Sequence, residues 1–323
     1  MKSHLSRLGL ASMLVAGGLA GTATAQDTFP DKPVTMVVGF SAGGGMDTLG
    51  RLVAEKASEA LGQQVVVENR PGAAGTIAPA HVANAEPDGY TLYLGETAAL
   101  TGPVVFGEGV GYDPLESFVP IAQLAIAPLA LIANADVPAD DVAGFIELVK
   151  ENPGEYFYAA PGVATLQHMV VEQLKEAAGI EIDAVQFQGG SPSVAAVISG
   201  EVPFAVTSLA AAQRQADGGD VKIIGVTTLD PVPGFENLPT VSSAVPGFEA
   251  VPRQFVMAPA GTPDDVVATL TAAFETALAD EELRKTLAGR GLLPTYLSGA
   301  DLGADLPAVT ETWSNTARRL VAQ

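Results

Sequence analysis

Apolar positions along this chain come in short runs separated by amphipathic stretches, and that alternation sets the expected architecture. Residues 34–40 make a largely apolar run of strand length. Residues 47–61 then place Leu49, Val53, Ala57 and Leu61 on one side of a helix and Arg51, Glu55 and Glu59 on the other, and Gly62 ends the pattern. A second strand is expected at 64–68, closed by the turn Asn69-Arg70-Pro71-Gly72. A short helix at 76–84 and the turn Pro87-Asp88-Gly89 lead to a third strand at 91–95. Strands alternating with helices in this way imply βαβ units and a parallel sheet.

The pattern repeats after Pro120. Residues 121–133 form one apolar run long enough to cross between two domains. Helices are expected at 140–150, 165–178 and 191–199, and strands at 156–159, 182–187, 202–207 and 221–227. A Pro/Gly-rich stretch at 230–252 leads to a strand-like run at 254–258 and helices at 263–279, 280–288 and 302–320. The expectation is two α/β lobes, 26–126 and 127–230, with residues 231–323 returning to the first. In such sheets ligands bind beyond the carboxyl ends of the strands, and between two lobes that region becomes a cleft.

The first residues read differently. Lys2 and Arg7 precede an apolar, small-residue stretch at 8–19, and Ala23-Thr24-Ala25 is an A-x-A cleavage signal before Gln26. The stretch is too short for a comfortable membrane span. Residues 1–25 are therefore expected to be an export signal, and the mature protein to be periplasmic. The sequence holds no cysteine, so no disulfide secures the exported fold and no lipid is attached through a thiol. A formal net charge of -21 argues against nucleic acid, which needs a basic footprint.

Gly39-Phe40-Ser41-Ala42-Gly43 fits G-x-S-x-G, the nucleophile elbow of serine hydrolases. Its partner histidine is hard to find. His4 leaves with the signal, His81 lies on a nearby helix, and His168 starts a helix in the other lobe. The glycine run 43–45 is not followed by Lys-Ser/Thr, so a P-loop fails, and it lacks the third glycine of a dinucleotide fingerprint. Three histidines and no cysteine leave no metal constellation, and no cofactor is implied. A glycine turn between strand and helix also exposes backbone N–H groups at the positive end of a helix dipole, which suits a carboxylate; any βα unit with Asp47 as helix cap would look similar.

The segments "FPDKPVTMVVGFSAGGGMDTLGRLVAEKASEALGQQVVVENRPGAAGTIA", "EPDGYTLYLG", "YDPLESFVPIAQLA" and "VPGFEAVPRQFVMAPAGTP", with the final helices, resemble the periplasmic solute-binding proteins of tripartite tricarboxylate transporters, the Bug family. The resemblance covers essentially the whole mature chain. It implies a two-lobed, type II periplasmic-binding fold, α/β with two doubly wound sheets, that closes on a small organic acid. It implies no catalysis, and the permease subunits of a membrane transporter as partner; the protein itself is expected to be a monomer. Carried over by position, Phe40, Ser41, Ala42, Gly43 and Gly44 match the family loop whose backbone holds a ligand carboxylate, and Asp47 matches the acid that opens the first helix.

In the second lobe the resemblance points to Gly162, Val163, Ala164 and Thr165, to Gln188, Gly189, Gly190 and Ser191, and to Thr207. His168 is expected to pack at the helix start. Glu96 and Thr97 follow the strand 91–95, and Arg253 stands ahead of the run 254–258; Glu96, Pro203, Thr207 and Arg253 depart from the family pattern. Arg253 could pair bidentately with a second carboxylate, and Glu96 could accept from a ligand hydroxyl or ammonium; alternatively the two pair with each other at the rim. The best reading is a periplasmic carboxylate-binding protein serving a transporter. An exported hydrolase using Ser41, or a partner that reports ligand to a membrane sensor, is the alternative.

The export reading has a direct check. The intact mass of the secreted protein is expected to correspond to a chain starting at Gln26; a product retaining Lys2 and Arg7 would overturn it.

Overall fold

The computed structural model describes residues 29–322; the expected signal at 1–25, its cleavage site and His4 lie outside the described residues. Eleven strands fall into two sheets. The first lobe begins with β1 (Val34–Val38), α1 (Gly45–Leu61), β2 (Val65–Asn69), α2 (Ile77–Ala83), β3 (Thr91–Glu96), α3 (Thr97–Phe106) and β4 (Phe118–Ile126). The second lobe contains β5 (Leu129–Asn134), α4 (Val142–Glu151), β6 (Phe157–Ala160), α5 (Leu166–Ala178), β7 (Asp183–Gln186), α6 (Gly190–Ile198), β8 (Phe204–Ser208), α7 (Leu209–Asp217) and β9 (Val221–Val226). The chain then returns through β10 (Arg253–Pro259), α8 (Asp264–Ala279), α9 (Glu281–Ala288), β11 (Leu293–Ser298) and α10 (Gly299–Val321).

The sheet orders are β11-β4-β10-β3-β1-β2 and β7-β6-β8-β5-β9. Only part of each is parallel. β1 pairs in parallel with β2 and β3, whereas β10 runs antiparallel to β3 and β4. In the second sheet β6, β7 and β8 run together and β5 opposes β8 and β9. The expected parallel sheets are therefore mixed, because β5 and β10 enter from the other lobe instead of through a crossover helix.

The single apolar run at 121–133 is two strands. Ala127-Pro128 breaks it, since proline donates nothing to a ladder. The break is pinned: Ala127 N–H donates to Pro252 O at 2.8 Å, and Leu209 N–H donates to Pro128 O at 2.9 Å. The return also comes later than residue 231. Val232, Val241, Val245, Phe248 and Ala250 are buried in the second lobe's cores, and β10 re-enters the first sheet only at Arg253.

Three elements escape the hydropathy pattern. α3 reads TAALTGPVVF, apolar nearly all round, with Gly102 and Pro103 inside. α7 is built on small residues and is short. β11 carries Pro294, which is tolerated because β11 is an edge strand.

α10 departs most from expectation. Leu302 and Leu306 sit in the first lobe's core with Tyr93, Phe118 and Phe255. Pro307 follows, and then Trp313, Ala317 and Leu320 enter the second lobe's core with Val170, Leu174 and Phe248. The helix thus belongs to both lobes, and it forms a third connection beside the strands at 127–128 and 251–253. Trp313 is 4% exposed. Trp313→Ala is expected to lower unfolding free energy by about 3–5 kcal/mol, the usual cost of emptying a large core site. Urea unfolding followed by far-UV circular dichroism measures it; a loss under about 1 kcal/mol would mean that this end of α10 is not part of the core.

Candidate functional site

The strand registers decide where the helices begin. Val38, the end of β1, lies opposite Leu94 near the end of β3, and Glu96 at that end lies opposite Gln254 at the start of β10. Arg253 lies opposite Ile126, the last residue of β4. The carboxyl ends of β1 and β3 therefore point to the edge where the chain crosses between lobes. In the second sheet Ser208, the end of β8, lies opposite Leu129, the first residue of β5, and β6 and β7 run with β8. The N-termini of α1, α3, α5, α6 and α7 consequently all open on the edge between the sheets. A helix start carries N–H groups without intrahelical partners and about half a positive charge. Five of them make this edge a place for an anion, although the chain is strongly acidic as a whole.

The loop at 40–44 is held from below. The Asp47 carboxylate accepts from Gly43 N–H (2.8 Å), from Asn69 Nδ2 (2.9 Å), and from Arg51 through Nη2 (2.8 Å) and Nε (3.1 Å). Asn69, at the end of β2, also donates to Phe40 O (3.1 Å) and accepts from Arg51 (3.1 Å). The hydrogen bonds from Arg51 lead in holding the Asp47 carboxyl down at about 2, against the opposing effect of its own burial. Asp47 is not the helix cap that the sequence suggested. Gly44 occupies that position, with no side-chain cap, and Asp47 lies inside the first turn with its carboxylate folded back on the loop.

That arrangement reassigns the donors. Gly43 N–H is committed to Asp47 and Gly44 N–H to Ser41 O (3.2 Å), so neither is free for a ligand. The free N–H groups of α1 are those of its first turn, Gly45, Met46 and Asp47, which the sequence reading missed. Gly43 has φ +81°, a left-handed conformation that disfavours any side chain. Ser41 and Ala42 are exposed, and Phe40 is half-buried. Among the described residues no histidine or carboxylate hydrogen-bonds the Ser41 hydroxyl. His168 is buried in the second lobe, where its Nδ1 accepts from Ala164 N–H at 3.3 Å; burial leads in drawing its pKa down and keeps it neutral.

At the next strand, Thr97 and Arg253 are engaged within the protein. Thr97 is fully buried, and its Oγ1 accepts the Arg253 backbone N–H at 2.8 Å, which ties the start of α3 to the start of β10. The Arg253 guanidinium pairs with Asp305 of α10. It therefore faces the helix that joins the lobes, among Gln173, Glu249 and Trp313, and pairs with Asp305 instead of Glu96. Glu96 is largely buried and, among the described residues, its carboxyl has no hydrogen-bond or ion-pair partner. Desolvation pushes it up to about 7.

The second-lobe loop is shaped by unusual backbone. Gly162 has φ +131° and Ala164 φ +56°, a costly angle for alanine. Thr165 stabilises the turn: its Oγ1 donates to Gly162 O (2.9 Å) and accepts His168 N–H (3.4 Å), capping α5. That hydroxyl is engaged by the loop itself. Val163, by contrast, is 53% exposed at the lip. Gly189 caps α6, and Gln188, Gly190 and Ser191 are exposed beside it. Thr207 is buried near the end of β8, next to Ser208, which caps α7. Among the described residues no group of three or more metal-binding side chains occurs, and no helix is long and apolar enough to cross a membrane.

Residues 49–306 match the model of the tripartite tricarboxylate transporter family receptor. A UPF0065 protein of Bordetella bronchiseptica is 35% identical over 84% of this chain and 80% of its own length. Protein BugT of Bordetella pertussis is 28% identical over 96% and 95%. Among solved structures, an R. palustris protein with adipate superposes with a TM-score of 0.73 at 32% identity, covering 91% of this chain and 98% of its own. MatC from Rhodopseudomonas palustris with bound malate gives 0.68 at 29%, over 90% and 100%. A TctC solute-binding protein from Polaromonas, without ligand, gives 0.82 at 27%, over 91% and 100%.

The Asp47 cluster generates a pH prediction. A carboxyl lower in the folded than in the unfolded chain contributes stability that is full above about pH 4 and lost as pH falls toward 2. Asp47→Asn is expected to cost about 1–3 kcal/mol at pH 7 and much less near pH 2.5, measured by urea midpoints across that range. A cost that does not shrink with acid would show that the ionised form is not what holds the loop.

Proposed function

We propose a function for a chain that belongs to the tripartite tricarboxylate transporter receptor family: it captures a small organic acid between its lobes and hands it to a membrane permease. The observation that carries this is the convergence of five helix N-termini on one inter-lobe edge. A carboxylate placed there meets unpaired N–H donors and aligned dipoles, and closure around it would exclude water and strengthen each bond. The Gly45 and Met46 N–H groups would take it on the first lobe. The start of α6 at 189–191, where Gly190 and Ser191 are exposed, with the lip at Val163, would close from the second.

Two comparisons support this reading. Relatives with bound adipate and malate use the same two-lobe fold. The ligand-free relative superposes better than either, at lower identity, which fits an open arrangement of the lobes here. Hydrolysis has less support, because Ser41 lacks a base. In this proposal the protein acts as an exported monomer in the periplasm, after cleavage behind Ala25.

A thermal-shift screen of mono-, di- and tricarboxylates tests the reading. A true ligand at 100 times its Kd is expected to add about 2.7 kcal/mol of stability. Ser41→Ala should bind that ligand within threefold of wild type, whereas Gly43→Val should lose it, since valine at φ +81° would distort the loop. Covalent labelling by a fluorophosphonate that disappears in Ser41→Ala would favour the hydrolase instead.

A further inference from the structure

Glu96 is the one acidic side chain that the candidate cleft leaves without an account. Its position follows from the alternation of β3. Leu92 and Leu94 lie in the core with Leu49 and Val53 of α1, and Glu96 is the next residue on that row. Leu94 passes beneath Gly50, where an added methyl would lie 3.0 Å from its Cδ2. The row therefore emerges under the first turn of α1, one turn before Gly50. Glu96 also lies two residues past the pair Val38–Leu94, where β1 gives way to the loop that leads into α1.

Nothing structural employs this carboxylate. It occupies the cap position of α3 and caps no N–H. The nearby cations are engaged elsewhere, Arg253 by Asp305 and Arg51 by Asp47 and Asn69. Its cross-strand neighbour Gln254 is 2% exposed and has an Oε1 without a hydrogen-bond partner, so a second acceptor adjoins the first. An acid at a half-dry place with no donor costs free energy, and a positively charged group with several N–H bonds would relieve it best. A hydroxyl would supply one hydrogen and no charge.

We infer that Glu96 selects, among carboxylates, those that also carry an ammonium group, receiving that group beside the α1 N–H donors that hold the ligand's own carboxylate. The inference rests on the carboxylate-binding reading above. Burial raises the pKa of Glu96, which fits a side chain that lacks a counter-ion until ligand arrives.

Titration calorimetry at pH 8 with matched probes tests it: succinate against aspartate, glutarate against glutamate, and propionate against alanine. In wild type the amino member of at least one pair is expected to bind ten-fold or more tighter than its plain partner. Glu96→Gln, nearly isosteric, should weaken that amino member at least ten-fold and leave the plain member within threefold, while Glu96→Asp keeps the preference. The inference is overturned if wild type binds the plain members as tightly, a comparison that needs no variant, or if Glu96→Gln retains the preference. Equal weakening of both members by Glu96→Gln also overturns it, since the side chain would then serve the carboxylate. If neither member of any pair binds and the broader screen is also silent, the carboxylate reading falls and this inference falls with it.

Discussion

The binding edge depends on one buried carboxylate. Asp47 draws Gly43 of the loop, Arg51 of the helix and Asn69 of the neighbouring strand onto two oxygen atoms. Each partner comes from a different element, so the cluster fixes the loop, the start of α1 and the end of β2 relative to one another. The cost of burying a charge is met by four donors, a case in which a buried ion pair is well satisfied. Gly43 and Gly44 can then stay tight with their N–H groups used inside the loop, while the first-turn N–H groups from Gly45 onward keep no intrahelical partner. The positive character of this edge thus comes from backbone, and its shape from a carboxylate whose oxygens are taken up inside the protein.

Much of this was legible in the chain. The period of 47–61, the glycines before it and the apolar run 34–38 specify β1, its turn and α1 through local rules. Contacts between distant positions were not legible. Asn69 stands 22 residues from Asp47, and Asp305 stands 52 from Arg253; no periodicity links either pair. Arg253 was read as a ligand group because it precedes the run 254–258 where the resemblance leads to an aromatic, and only the placement of α10 reveals its partner Asp305. α3 was invisible for another reason: a helix apolar on every side has no stripe to detect.

The joint between the lobes combines rigid and yielding parts. The Ala127–Pro252 hydrogen bond holds the two crossing strands together, and their prolines limit how the backbone turns. α10 adds a longer link, with Pro307 between its two buried halves, where an intrahelical hydrogen bond is absent and bending is easiest. Arg253 sits where these parts meet. Its backbone is bonded to Thr97 at the head of α3 and its side chain to Asp305 on α10, so the binding edge and the joint share a residue.

The position of Trp313 has a practical side. It is the sole tryptophan of the sequence, and it lies on the α10 segment that enters the second lobe, lining a small cavity with Gln173, Glu249 and Arg253. That cavity is walled by both lobes and by the strand between them. A rotation that bends α10 at Pro307 would change the packing around the indole. The protein therefore carries a native optical probe beside its joint, and its emission would report such a bend without a dye.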